Sequence, residues 1–274
     1  MPVYSNAQNH RGTKKTLDSV KLMCFYDLLF QPDSTDANSK ITEEFLLLIG
    51  NNTAYSESTN SYLSRQSISE TVASGNIEGF LSDLALGRIP RTRFNTQIYI
   101  NYPIEKITVI DRIGMDLYSY TQNQNELNWI IHPEKREIKG YTVQKATTTY
   151  GGRNWTAWFA PEIPLNFGPH VFQGLPGLII KVLDTKNHYE FSLRMITNPE
   201  IIESIDINTQ NVISICKSGF FELRDRLKDN PHGVLMQSIQ SSGGSFQFDD
   251  ETSAQQTINE NARRRNNPLE LRAD

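Results

Sequence analysis

Between positions 161 and 177 the chain sets four prolines (Pro161, Pro164, Pro169, Pro176) and three glycines (Gly168, Gly174, Gly177). Proline lacks the amide proton that a ladder or a helix needs, so neither a central strand nor a helix can run through this stretch. It must be an extended arm or loop. Strand-forming sequence stands on both sides of it. Thr147, Thr148, Thr149 and Tyr150 favour a strand, and Gly151-Gly152 supplies a tight turn. Residues 154–159 resume a strand, with Trp155 and Ala157 on one face and Trp158 on the other. Leu178, Ile179 and Ile180 then open a buried strand. A stiff crossing element over a β layer follows. In Gly174-Leu175-Pro176-Gly177, Pro176 suits the first bend of a turn and Gly177 the positive φ of the second.

The rest of the chain supports a β-rich α+β fold with a curved, mainly antiparallel, half-barrel-like sheet. Residues 19–30 and 41–49 are apolar runs separated by Gln31-Pro32-Asp33-Ser34, and read as antiparallel strands. Residues 56–89 differ. Tyr62, Leu63, Ile68, Val72, Ile77, Phe80, Leu81 and Leu84 recur at helical spacing, and Pro90 stops the run. One or two helices there should cover one face of the sheet. Short strands with polar or glycine turns fill residues 97–150, and 179–183 with 188–196 flank a hairpin turn. Residues 220–227 read as a short helix ending before Asn230-Pro231. The boundaries are a polar segment at 1–16, one β-rich domain at 17–236, and a polar, mobile tail at 237–274, with a solvated helix over 251–265 as its alternative.

Charge is near balance, with 27 Lys+Arg against 31 Asp+Glu. A nucleic-acid binder needs a basic surface, so that class is excluded. No apolar run approaches the roughly 20 residues of a membrane-spanning helix. Nucleotide-binding glycine fingerprints are absent, and no cofactor is expected. Cys24 and Cys216 both sit in apolar runs and read as buried small hydrophobes; in an oxidising compartment they could pair. Ser5, Ala7 and Gln8 match the tail of a secretory signal, although the charged and apolar parts that precede such a tail are missing; an ordinary polar start is the alternative.

Candidate sites carry two readings each. Arg153 with Trp155 and Trp158 would make a ligand platform of stacked rings and a forked cation, or Arg153 pairs structurally with a carboxylate while a tryptophan fills the core. The turn Gly174-Leu175-Pro176-Gly177 is a contact loop, or a structural clasp. His132, His170 and His188 show no metal-ligand spacing, and Glu162 and Asp184 lack a nucleophile or partner, so no catalytic or metal residue is assigned.

Residues 145–179 also carry a resemblance. Lys145-Ala146-Thr147, Gly152-Arg153, Trp155, Ala157-Trp158-Phe159, Glu162-Ile163-Pro164, Gly168-Pro169 and Gly174 through Ile179 resemble the signature of the GLPGLI family of secreted Bacteroidetes-type proteins, and Asn267-Pro268-Leu269-Glu270-Leu271 is similar to that family's usual ending. Val143-Gln144 departs from the pattern, where a cysteine would be expected. Element order is similar to LolA-like half-barrels. The resemblance implies an exported periplasmic or cell-envelope binding or accessory protein. It would engage an outer-membrane protein, such as a TonB-dependent transporter, or an apolar ligand at the concave sheet. The contact residues would be Arg153, Trp155, Trp158, Pro164, Gly168, Pro169, Gly174, Leu175, Pro176 and Gly177. An envelope enzyme such as a peptide hydrolase, and a structural subunit of an envelope complex, are the competing readings; oligomeric state is left open. The enzyme reading requires Arg153, Glu162 and His170 to meet in one pocket.

Overall fold

The computed structural model describes residues 14–90, 92–200, 202, 204–241 and 250–271. The strands in chain order begin with β1 (Lys14–Ser19), β2 (Leu22–Phe30), β3 (Ile41–Ile49) and β4 (Ala54–Ser58). A helical pair follows, α1 (Thr59–Ser74) and α2 (Ile77–Ala85). Then come β5 (Gln97–Ile100), β6 (Lys106–Ile113), β7 (Asp116–Asn123), β8 (Ile130–Ile138), β9 (Tyr141–Tyr150) and β10 (Arg153–Ala160). After the proline-rich crossing segment come β11 (Leu178–Asp184), β12 (Tyr189–Thr197), β13 (Ser204–Asn208) and β14 (Val212–Ser214). Three helices complete the described chain: α3 (Lys217–Asp229), α4 (Pro231–Ser241) and α5 (Glu251–Arg263).

The fold is β-rich α+β. Twelve strands form one sheet in the order β14-β7-β6-β5-β4-β3-β2-β12-β11-β10-β9-β8, and β1 pairs with β13 in a separate ribbon. Within the large sheet the pairs are antiparallel, except that β14 lies parallel to β7. Alternation explains why β2 and β3 read as near-continuous apolar runs. Cys24, Tyr26, Leu28 and Phe30 join Phe45, Leu47 and Ile49 in the main core, while Met23 joins Leu46 and Leu48 in a second core on the opposite face. The β1–β13 ribbon covers that second core with Val20, Ile205 and Ile207. The main core is closed by Val171, Phe172 and Leu175 of the crossing segment and by Phe220 and Phe221 of α3. The main-core face is thus a filled core. No described helix is long and apolar enough to cross a membrane.

Several expectations need correction. The strand pattern begins at Lys14, inside the segment read as a polar lead, because β1 needs only alternate apolar positions to lie over the second core. Ser5, Ala7 and Gln8 lie outside the described residues. Of the apolar positions expected to cover the sheet, Leu63, Ile68 and Leu81 are exposed, while Tyr62 packs against the second core. α1 also docks by polar groups. Ser58 caps its N-terminus by accepting from Ser61 N, and Arg65 bonds the buried Glu57 and the Tyr55 hydroxyl. The side chains of Val72, Ile77, Phe80 and Leu84 lie outside the described residues. The helix read at 220–227 extends over 217–229. Of the two readings of the tail, the helix is seen at 251–263, and beyond it Asn267, Leu269 and Glu270 are buried. That burial was not expected from polar composition: the segment is tied down by hydrogen bonds to main chain and by Leu269 in the main core.

Candidate functional site

Gly151 and Gly152 both take positive φ, which lets a two-residue turn join β9 to β10 with Tyr150 opposite Arg153. Arg153 therefore leaves the first position of β10 on the face that also carries Trp155. Its guanidinium is surrounded. Nε donates to Leu269 O (2.8 Å), Nη1 to Asp184 Oδ2 (2.9 Å), and Nη2 to Asn267 Oδ1 (2.6 Å) and Pro268 O (2.7 Å); His188 Nδ1 stands 3.5 Å from Nη1. The group also lies 4.9 Å from the centre of the Tyr189 ring. Asp184 is held in turn: its Oδ1 accepts from the amides of His188 (2.7 Å) and Tyr189 (2.9 Å). Arg153 and Asp184 side chains are 3% and 2% exposed, so this pair is interior and every partner is protein.

The two tryptophans do not form a platform with Arg153. Trp155 is buried on the same side, its Nε1 donating to Tyr150 O (3.0 Å) and its ring packed on Phe172 at 4.7 Å. Trp158 lies on the other face of β10, where the Arg136 guanidinium stacks over it at 3.6 Å. Strand alternation separates side chains three positions apart.

The crossing segment is stitched across the core face. Leu178 N donates to Ile163 O, Ile179 N to Phe167 O, Gly174 N to Asn166 O, and Trp129 Nε1 to Gln173 O. His170 N donates to Ser56 Oγ (3.0 Å) and Tyr26 OH to Ile179 O (2.8 Å). Its glycines serve different needs from the one expected. Gly174 carries the positive φ (+90°), and Gly177 does not. Gly177 is required by proximity: a Cβ there would lie 2.2 Å from Ala160 O. Gly168 is similarly pressed by Ile179 and Phe172 O, and Pro169 beside it is buried. Leu175 belongs to the main core, whereas Pro164, Gly174 and Pro176 are exposed.

The remaining candidates are dispersed. His170 takes a left-handed backbone (φ 57°), is buried, and leaves Nδ1 without a partner; burial pushes its pKa down from 6.5 to about 3. Glu162 is exposed. Arg153, Glu162 and His170 have no hydrogen-bond partner in common, and none lines two surface depressions among the described residues. One of these, of about 250 Å³, is bordered by Glu105, Lys106, Asn123 and Glu126; the other, of about 430 Å³, by Asp33, Lys228, Glu260 and Arg263. His132 bonds Thr147 Oγ1. Cys24 is buried, and burial raises its thiol to about 12. Cys216 is exposed, contrary to expectation, because it caps α3 with its sulfur; its contacts with Ser218 and Gly219 N lower its pKa. Among the described residues no group of three or more His, Cys, Asp or Glu gathers to hold a metal ion.

Sequence reasoning missed two assemblies. One is the buried Glu57 under α1, whose carboxyl burial pushes up against the opposing pull of Arg65. The other is the partnership of Arg153 with residues 267–269. The contiguous polar run Asn266-Asn267 before Pro268 was its one local signal.

Comparison with known proteins matches residues 150–181 to the family model Porph_ging, described as a protein of unknown function. The match falls on the turn, Arg153 and the crossing segment. No curated protein matches the chain. Among solved structures, PNGF-II in its P21 and C2 space groups is similar at 10% identity and a TM-score of 0.49, covering 74% of this chain and 33% and 32% of the PNGF-II chains. The chain thus spans about a third of the length of those proteins.

Proposed function

We propose that this chain is a binding or accessory protein of the cell envelope that engages an outer-membrane protein through α1 and α2. The observation that carries the reading is the set Leu63, Ile68, Leu81 and Leu86, which are between 45% and 62% exposed on and just after this helical pair. Large apolar side chains left exposed on one helical pair are the kind of residue a contact surface uses. The crossing segment and Arg153, by contrast, are consumed in holding the main core together. The envelope location comes from the resemblance of residues 145–179 to exported proteins.

The test is site-specific photocrosslinking from Leu63 and Leu81 in intact envelopes, with the crosslinked product identified by mass. A single outer-membrane protein, such as a transporter barrel or its associated lipoprotein, supports the reading. Crosslinks to lipid alone would redirect it to an apolar ligand. Crosslinks to nothing would overturn it.

A further inference from the structure

At one end of the large sheet the edge strand β8 is broken by a bulge. Ile131 pairs with Ala146 and Lys135 with Gln144, so residues 132–134 stand opposite Lys145 alone. A bulge of this kind re-aims side chains. Here it gathers charge on the face that carries Trp158. Glu134, inside the bulge, accepts from Lys145 Nζ (2.8 Å). Just past the bulge the Arg136 guanidinium lies 3.6 Å from the centre of the Trp158 ring, and Lys145 Nζ lies 5.9 Å from the same centre. Lys145 of β9 and Lys181 of β11 are the register partners of Trp158 on its two sides. Lys181 Nζ stands 2.6 Å from Glu190 Oε1.

From this cluster we infer an anion site over Trp158 that takes a phosphate ester, with Arg136 and Lys145 as the groups that hold it. Three observations carry the inference. First, the charges do not balance. Arg136, Lys145 and Lys181 are met by two carboxylates, Glu134 and Glu190, and among the described residues no carboxylate pairs with Arg136. Second, two like charges are held over one ring. Their distances from its centre keep them closer together than the Debye length of about 10 Å at 0.1 M salt, so their repulsion is not screened away. An anion between them replaces that repulsion with two attractions. Third, the guanidinium is set before any ligand arrives. Stacking on the buried Trp158 fixes its plane and leaves the N–H groups at its edge for an oxyanion, while Arg136 itself is exposed. A fork held in place loses less freedom on binding.

Phosphate follows from the number of donors. One guanidinium fork uses both oxygens of a carboxylate, whereas a phosphate ester brings three acceptor oxygens, two for Arg136 and one for Lys145 Nζ. Lys145 is free to turn toward it, because its partner Glu134 is 53% exposed and an ion pair so exposed is weakly held. A soluble phosphate ester and a lipid headgroup ending in phosphate offer the same chemistry, and the experiment separates them. The inference does not depend on the contact surface of α1 and α2.

The experiment uses the full chain. Glycerol 3-phosphate is titrated by calorimetry, and flotation is measured with phosphatidylcholine vesicles that contain or lack phosphatidic acid. The expected result is binding that falls as salt rises and weakens about fivefold or more in Arg136→Gln and in Lys145→Gln. Arg136→Lys keeps the charge without the fork and should recover only part of the affinity. Lys186→Gln removes an exposed charge from the β11–β12 turn and should bind as the parent does. Arg136 is exposed, so its variants keep the fold, which near-UV circular dichroism checks. Binding of glycerol 3-phosphate with this pattern supports the site with a soluble ligand. Binding confined to vesicles that contain phosphatidic acid, with the same pattern, supports it with a lipid. Failure to bind either probe overturns the inference. So does acetate binding as tight as that of glycerol 3-phosphate, or an equal loss in Lys186→Gln.

Discussion

Arg153 donates to Asp184 Oδ2 at 2.9 Å with both side chains nearly removed from solvent, so each charge has the other as its counterpart. In the same place the guanidinium collects acceptors from a distant stretch of the chain, 114 to 116 positions away. Of the two sequence readings of Arg153, a ligand-binding cation or the structural partner of a carboxylate, the pairing with a carboxylate is the one seen, and it is the knot of the fold.

Removing that knot should be expensive. Arg153→Ala leaves the Asp184 carboxylate buried without its cation and the carbonyls of residues 268 and 269 without a donor, for a loss of about 3–5 kcal/mol. Arg153→Lys keeps the charge but cannot fork to four acceptors, and should recover only part of it. Urea unfolding of both variants checks the order. An alanine variant within experimental error of the parent would contradict the buried pair.

Acid should loosen the crossing segment through His170. Burial holds the folded imidazole near 3, against 6.5 for the free side chain. Between those values the unfolded chain takes up a proton that the folded chain refuses. The contribution is therefore complete above pH 6.5 and declines by about 1.4 kcal/mol per pH unit as pH falls toward 3. His170→Asn accepts the left-handed backbone and removes the titration. Stability measured at about pH 7 and about pH 5 should fall less in the variant than in the parent. Equal declines would show that His170 is already protonated or exposed.

The two glycines that flank Leu175-Pro176 should respond unequally. Gly174→Ala meets no atom within 4 Å and bears only the left-handed backbone, about 1–2 kcal/mol. Gly177→Ala drives a methyl into Ala160 O and should lose at least about 2 kcal/mol more. Thermal unfolding of the pair settles the ranking; the reverse ranking would mean that Gly177 is not pressed on β10.

On the helical pair the expectation is reversed: binding to the partner should fail while the fold keeps its stability. Leu63→Glu with Leu81→Glu alters exposed positions and should change unfolding free energy by no more than about 0.5 kcal/mol per site. The same double variant, carrying the photocrosslinker at Ile68, should no longer crosslink to the outer-membrane protein. Retention of the crosslink would place the contact elsewhere.

Much of the sheet was legible because alternation is local. The runs at 19–30 and 41–49 emerge as β2 (Leu22–Phe30) and β3, and the hairpin at 179–196 as β11 and β12. The helical spacing of 56–89 emerges as α1 and α2. Other parts were hidden by rules that cut both ways. Asn230-Pro231 reads as a stop, yet proline is also at home in a first helical turn, and Asn230 accepts from Gly233 N to start α4. Gly177 looked like a turn glycine because proline preceded it, whereas its constraint comes from a strand that only the fold brings near. Residues 267–271 stood out in the sequence only by their resemblance to a family ending; where they pack was not legible, because half of their contacts go through carbonyls and amides that no side-chain pattern announces.

That dependence of position 153 on positions 267–269 has a bearing on how the polypeptide is made. A nascent chain emerging from the ribosome carries this cation through more than a hundred further rounds of elongation before its acceptors exist. Strands can pair earlier, but Arg153 gains its full set of acceptors only once residues 267–269 have been made, so a chain stopped upstream of residue 267 would lack three of them.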